Sequence, residues 1–180
     1  MSQRRAASGE QEKAGVPPAA RRSPLAELRF IGFRIGGEMF LVDIMAVRQI
    51  VPYRGSTQVP TAPAFIEGVI VVRDQVVPVV DVHARLMPQQ PSDAKEPFVL
   101  LTHTPSGVVG LKVDDVRRIV TVTPEELLPA PASIRGIRGE SLVAIAPHDN
   151  EVFLVLDVDS LLSSSEQEQL LAVKDSGLGT

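Results

Sequence analysis

The chain repeats itself. Val47-Arg48-Gln49-Ile50-Val51 returns as Val116-Arg117-Arg118-Ile119-Val120, at an offset of 116 − 47 = 69. Phe65-Ile66-Glu67-Gly68-Val69 returns as Ser133-Ile134-Arg135-Gly136-Ile137, at 133 − 65 = 68. Val79-Val80-Asp81-Val82 returns as Val155-Leu156-Asp157-Val158, at 155 − 79 = 76. Matches in one order at a near-constant offset imply two copies of one all-β unit, the second about 76 − 68 = 8 residues longer. A repeated supersecondary unit rarely buries its apolar face alone, so the copies pack together. The useful surfaces of such a module lie between and around them.

Hairpin chemistry marks each copy. Phe30 to Ile35 and Met39 to Val42 flank Gly36-Gly37, a two-residue hairpin signal. Ile44 to Val51 reads as a short helical turn followed by a third strand. Gly68 to Val72 and Val76 to Val82 flank the tight turn Arg73-Asp74-Gln75, with Pro78 pointing to an edge or a bulge. His83 to Met87 reads as a short helix, and the Pro- and Gln-rich stretch from Pro88 to Pro97 as a linker. The pattern then restarts. Phe98 to Thr102 and Val108 to Val113 flank a Thr104-to-Gly107 turn, and Val116 to Val122 forms the next strand. Ile134 to Ile145 pairs with Val152 to Val158 across Pro147 to Asn150, read as a longer hairpin than its counterpart. The chain closes with a C-terminal helix over about 159–172. Five strands per copy predict an all-β fold of two small five-stranded barrels. The domain spans 28–172, with subdomain one at about 28–87 and subdomain two at about 98–158.

Composition narrows the function. Residues 1–29 carry six Lys/Arg against three Asp/Glu, or +3, so the remainder of a chain of net charge −4 carries −4 − 3 = −7. An acidic body argues against nucleic acid, whose phosphates need a basic face. Residues 1–27 hold almost no large apolar side chains and are expected to be a disordered extension. There is no Cys, which removes disulfides, thiolate catalysis and thiolate-bound zinc. No apolar run has the length of a signal core or a membrane span, so a cytoplasmic chain without direct membrane insertion is expected.

Catalytic chemistry is sparse. Asp81-x-His83 has strand spacing, so both side chains can share a face as half of a triad or metal site. No nucleophile elbow or zinc-protease helix motif accompanies the pair. Asp114-Asp115 and Asp157-x-Asp159 lack the Gly-bearing, carboxylate-dense loop of a cation site, and Gly36-Gly37 lacks the context of a phosphate loop. The expectation is a chain that is not an enzyme and takes no cofactor or metal.

The segment from Pro63 to Val82, with Pro63, Phe65, Gly68-Val69, Arg73, Pro78 and Asp81 at the pattern positions, closely resembles the signature of CheW-like adaptor domains. Val47-x-x-Ile50-Val51, Gly110-Leu111-x-Val113-Asp114-x-Val116, Ile134-x-Gly136-Ile137 and Leu156-Asp157 before Leu161-Leu162 extend the resemblance from about Leu28 to Leu171. It implies two SH3-like five-stranded barrels sharing a hydrophobic core. It also implies a non-catalytic adaptor that couples a methyl-accepting chemoreceptor's cytoplasmic tip to the regulatory domain of a CheA-type histidine kinase at receptor arrays. Transferred residue by residue, the resemblance places Ile44, Val47, Gln49, Gly68 and Arg73 at the receptor-contacting surface and leaves the kinase surface unassigned.

The chain departs from the pattern in places. The signature Asn and Gly are replaced by Val71 and Asp74, and Gln49 stands where the family often has Glu. Glycine would allow a positive φ in that turn at little cost, which Asp tolerates less well. These departures point to a divergent member, serving chemotaxis or a pilus or gliding system. Two alternatives remain: a module that binds receptors or another motility component without the kinase, and a small hydrolase or ligand-binding barrel built on Asp81 and His83.

Overall fold

The computed structural model describes residues 26–132 and 141–176. Among the described residues, eleven strands fall in two sheets. In chain order they are β1 (Leu28–Ile35), β2 (Glu38–Asp43), β3 (Val47–Pro52), β4 (Ile66–Val72), β5 (Gln75–Asp81), β6 (Phe98–Thr104), β7 (Gly107–Val113), β8 (Asp115–Val122), β9 (Leu128–Pro129), β10 (Leu142–His148) and β11 (Glu151–Leu156). Helix α1 (Val82–Leu86) follows β5, and α2 (Ser164–Ser176) closes the described chain. The all-β class with few helices matches the expectation from the hairpin pattern.

The sheets do not follow the chain. One has the order β8-β1-β2-β11-β10-β9 and the other β3-β6-β7-β5-β4. Replacing each strand by its counterpart in the other copy converts β3-β6-β7-β5-β4 into β8-β1-β2-β11-β10. Each copy therefore lends its first hairpin to the other copy's sheet. The lent hairpins join through parallel ladders: β2 pairs with β11 from Met39↔Phe153 to Val42↔Leu156, and β7 pairs with β5 from Gly110↔Val79 to Lys112↔Asp81. The sequential subdomains expected at 28–87 and 98–158 are thus corrected: both sheets draw on both halves. The reason is physical. A two-stranded hairpin is marginal by itself, and its apolar faces are covered only by strands distant in sequence.

Three apolar clusters follow from this exchange. Phe30, Leu41, Val120, Val122 and Phe153 fill the interior of the first sheet. Val77, Val79, Val99 and Leu101 fill that of the second. Between them lies a shared core of Phe33, Ile35, Phe40, Val42, Val80, Leu100, Leu111 and Val113, closed by Leu156, Leu161, Leu162 and Leu170. Phe33 and Phe40 stack there with centroids 5.8 Å apart.

Local details refine the expected elements. Pro78 lies in an interior strand, not at an edge: the ladder from β5 to β7 begins only at Val79, one residue past the imide nitrogen that cannot donate. Both late hairpins turn on two residues, Arg73-Asp74 and Asp149-Asn150, so the second hairpin is no longer than the first. The register places Leu142 opposite Leu156 as Ile66 stands opposite Val80, and 142 − 66 = 76 already equals the larger offset. The additional residues therefore precede β10. The repeated segment Ser133 to Ile137 lies outside the described residues, as do 1–25 of the N-terminal extension.

The C-terminal helix starts at Ser164 rather than Asp159, because Ser163 and Glu166 form a reciprocal cap. Glu166 Oε2 accepts from the Ser163 N–H at 2.8 Å, and the Glu166 N–H donates to Ser163 Oγ at 3.3 Å. Glu166 also takes a two-point ion pair from Arg85 of α1 at 3.0 and 2.6 Å. Burial alone would raise its pKa, but Arg85 and the cap outweigh burial and hold it low.

Candidate functional site

Asp43 ends β2 and caps the 310 turn Ile44–Ala46 by accepting from the Met45 N–H at 2.8 Å. This turn feeds β3, one of the two edge strands of its sheet. Ile44 and Val47 are half-buried and pack against the shared core, so they hold the turn down as well as lining its face. Met45 between them is 84% exposed. Gln49 is half-buried on β3 opposite Leu101.

Across the same sheet, the segment after β3 crosses to β4 and pairs once. Thr57 N–H donates to Val69 O at 2.9 Å, and Val69 N–H to Thr57 O at 2.8 Å. Gly68 is buried under this crossing. A Cβ at its position would sit 2.5 Å from Ser56 Oγ and 2.7 Å from the Thr57 carbonyl oxygen. Glycine is needed there for close approach of two backbones.

Beyond the crossing the two strands part and leave a groove of about 690 Å³. Val51 to Thr57 form one wall and Val69 to Arg73 the other. Arg73 is exposed at its lip, at φ 47°, and Asp74 follows at φ 63°. Two consecutive left-handed non-glycine residues form the backbone of a two-residue hairpin turn that Asn-Gly would adopt with least strain. Of the expected site residues, the groove gathers Arg73, with Gly68 behind it. Ile44, Val47 and Gln49 are not in its lining and form a separate ridge along the 310 turn and the start of β3. Sequence reasoning missed Tyr53, Arg54, Ser56 and Val71 of the groove. Tyr53 was the available signal, as the single tyrosine of the chain.

A charged cluster backs the groove. Tyr53 OH donates to Glu67 Oε1 at 2.8 Å, and Lys112 Nζ reaches Glu67 at 2.7 Å and Asp81 at 2.9 Å. The ammonium also lies 5.0 Å from the Tyr53 ring centre. Burial pulls the Lys112 pKa down, but its hydrogen bonds to Glu67 and Asp81 outweigh burial and the net direction is up. Lys112 comes from the hairpin lent by the second copy, so the groove rests on both copies.

The expected Asp81–His83 pair does not form. Asp81 caps α1 through Ala84 N–H at 2.9 Å and holds Lys112. His83, buried, is turned the other way: Nδ1 meets Asp114 Oδ2 at 2.8 Å and Nε2 meets the Gln90 carbonyl at 2.8 Å. Both ring nitrogens face acceptors, an arrangement that favours the doubly protonated ring. Burial alone would lower the His83 pKa; Asp114 and the Gln90 carbonyl raise it on balance. Asp114 in turn takes the Gly36 N–H at 2.6 Å and Ser92 Oγ at 2.8 Å, and these with His83 keep its pKa low against burial. This constellation ties the β1–β2 turn, α1, the linker and the end of β7 together. Its serine bonds the carboxylate and not the imidazole, so it is a lock and not a triad.

Among the described residues, no group of three His, Asp or Glu side chains is arranged to hold a metal ion, and no helix is long and apolar enough to cross a membrane. Residues 29–166 match the family model of the CheW-like domain. The chain belongs to the CheW-like family. It is 33% identical over 138 residues to the chemotaxis protein CheW of Rhizobium meliloti (strain 1021), covering 77% of this chain and 89% of that protein. It is 28% identical over 159 residues to the chemotaxis protein CheW of Treponema pallidum (strain Nichols), covering 83% and 93%. The crystal structure of the scaffolding protein TtCheW from Thermoanaerobacter tengcongensis superposes with a TM-score of 0.70 at 23% identity, covering 77% of this chain and 94% of that one, and shows the same fold. Within this CheW-like domain, the turn at Arg73-Asp74 combines left-handed strain with exposure, as does its counterpart at Asp149-Asn150. Arg73→Asn combined with Asp74→Gly will stabilise the protein by about 1 kcal/mol by removing left-handed strain. Thermal unfolding checks this as a rise in midpoint of roughly 2–4 °C.

Proposed function

We propose that this chain is a non-enzymatic adaptor in chemotaxis or a related motility pathway, coupling methyl-accepting receptors to the regulatory domain of a CheA-type histidine kinase. The observation that carries this reading is the CheW-like match across residues 29–166. The internal use of Asp81 and His83 supports it, since the one candidate dyad in the sequence is spent on holding the fold.

The described surface offers the receptor two distinct places, one at the turn into β3 and one at the groove lip. Ile44, Met45 and Val47 of the ridge are apolar, with the polar Gln49 beside them, and they suit the apolar face of a receptor helix. Arg73, with Gly68 supporting its strand, presents a guanidinium at the groove lip 73 − 47 = 26 residues further along the chain. Both belong to the receptor-facing assignment, and their separation makes them independently testable. Arg73→Ala will weaken receptor binding about fivefold, as expected for an exposed charged contact. Met45→Glu, which removes exposed apolar area at the ridge, will weaken it about tenfold. Calorimetric titration with a receptor hairpin, and separately with the kinase regulatory domain, checks both. Failure of the intact protein to bind either one overturns the adaptor reading; binding of the receptor alone selects a module that works without the kinase.

A further inference from the structure

We propose that the groove between residues 51–57 and 69–73 takes an extended, acidic segment of a partner protein, which adds as a strand to the free edge of β4 at Val71 and meets Arg73 and Arg54. The proposal rests on the reading of Arg73 as a partner-contacting residue and specifies the chemistry of what it contacts.

The backbone supplies the first argument. In an antiparallel pair, alternate residues turn their N–H and C=O toward the partner strand or away from it. The two-residue turn makes Val72↔Gln75 the closing bonded pair of β4 and β5, so Val72 and Ile70 face β5. Val71 and Val69 therefore face outward. Val69 confirms this, since both of its outward groups are bonded to Thr57. The next outward residue is Val71, and the opposite chain turns aside at Gly55, φ 99°, before it can pair. Among the described residues, Val71 N–H and C=O have no backbone partner on that side. Its side chain is 69% exposed. A bare strand edge beside an apolar wall is where an extended peptide gains main-chain hydrogen bonds.

Charge supplies the second. The groove lining holds two arginines, Arg54 and Arg73, and no carboxylate, in a chain whose residues from 30 onward carry −7.

The duplication supplies the third, because the second copy carries an ion pair at the equivalent place. Its turn residue Asp149 faces Arg118 of β8 at 3.8 Å, and Glu151 takes the same guanidinium at 3.1 Å. The matching positions in the first copy are 149 − 76 = 73 and 118 − 69 = 49. These are Arg73 and the neutral Gln49. The first copy therefore carries the charge of the pair reversed at the turn and lacks the internal partner. Among the described residues Arg73 has no ion pair, and an acidic side chain from outside completes the arrangement that the second copy makes for itself.

Two capped heptapeptides test the idea, one of sequence Thr-Glu-Val-Glu-Val-Glu-Thr and one with lysine in place of every glutamate. The acidic peptide is expected to bind the full chain, to shift the Val71 amide resonance and to slow its hydrogen exchange. Val71→Pro removes only an outward N–H, at an edge position where proline is tolerated, and is expected to weaken the peptide about tenfold. Arg54→Ala and Arg73→Ala are expected to weaken it about fivefold each at low salt and less at high salt. Equal binding of the lysine peptide, no binding of the acidic one, or unchanged affinity in a folded Val71→Pro protein overturns the proposal. If Val71→Pro unfolds the protein, the exchange rate of the Val71 amide in the unsubstituted chain decides, and no slowing overturns it. Receptor and kinase binding measured on the same protein stand apart: if they persist while the peptide fails, the adaptor reading stands and the strand addition falls.

Discussion

Asp114→Ala will lower the unfolding free energy by roughly 3–5 kcal/mol, the cost of breaking a buried ion pair by removing one partner. The residue is 4% exposed and holds four separate groups: His83, Gly36 N–H and Ser92 by its side chain, and the Arg34 carbonyl by its own N–H. Alanine leaves the His83 imidazolium without its counter-charge and the Gly36 N–H without an acceptor. Chemical denaturation at neutral pH checks the loss; a cost below 1 kcal/mol would show that the linker rearranges to re-solvate the site. The pair also predicts a pH profile. His83 is raised in the folded chain, so its contribution is complete below the unfolded imidazole value of about 6.5 and is lost as pH rises through the folded value. Asp114 is lowered, so its contribution is complete above the unfolded carboxyl value of about 3.9 and is lost as pH falls through the folded value. Stability from this lock therefore peaks between about 4 and 6.5 and declines on the alkaline side. In His83→Gln, which keeps a donor for Asp114 without the charge, the alkaline decline disappears.

What the sequence made legible is local. Gly36-Gly37 and Arg73-Asp74 announce hairpins because turn residues and alternating apolar residues lie side by side, and the strands they flank are where expected. The repeat announces duplication for the same reason. Which sheet a hairpin joins is decided by distant partners: Met39 meets Phe153, 153 − 39 = 114 residues away, and no spacing within the first copy encodes that. The site divides in the same way. Arg73 entered through the family signature, and the turn that carries it leaves it exposed. Gly68 carried the right signal for another reason, the passage of Ser56 and Thr57 across it. The Asp81–His83 pairing failed because sequence proximity competes with stronger claims on each side chain. Lys112 and the first turn of α1 take the carboxylate, while Asp114, 31 residues away, takes the imidazole.

Cutting the chain between Lys95 and Glu96 will leave two pieces, neither of which folds alone but which assemble when mixed. The cut falls in the linker, after the Ser92 contact to Asp114, and removes no strand. Were the copies independent, each piece would keep a complete sheet. In the exchanged arrangement the first piece keeps the hairpin of β1 and β2 without β8 or β11, and β3, β4 and β5 without the β6–β7 hairpin that joins them. The second piece has the converse defect. Each then exposes strands whose apolar faces and ladders are unpaired, and an isolated two-stranded hairpin is at best marginal in water. Covalent linkage supplies an effective concentration in the millimolar range for a short linker, so the separated halves need comparable concentrations to match the intact chain. Amide NMR spectra of each piece, then of the equimolar mixture, decide the matter. Collapsed spectra apart and a dispersed spectrum together are expected, with β2–β11 and β5–β7 cross-strand contacts restored. A dispersed spectrum from either piece alone would mean that a copy can close its own sheet, and that the exchange is a convenience of tethering rather than the source of the shared core.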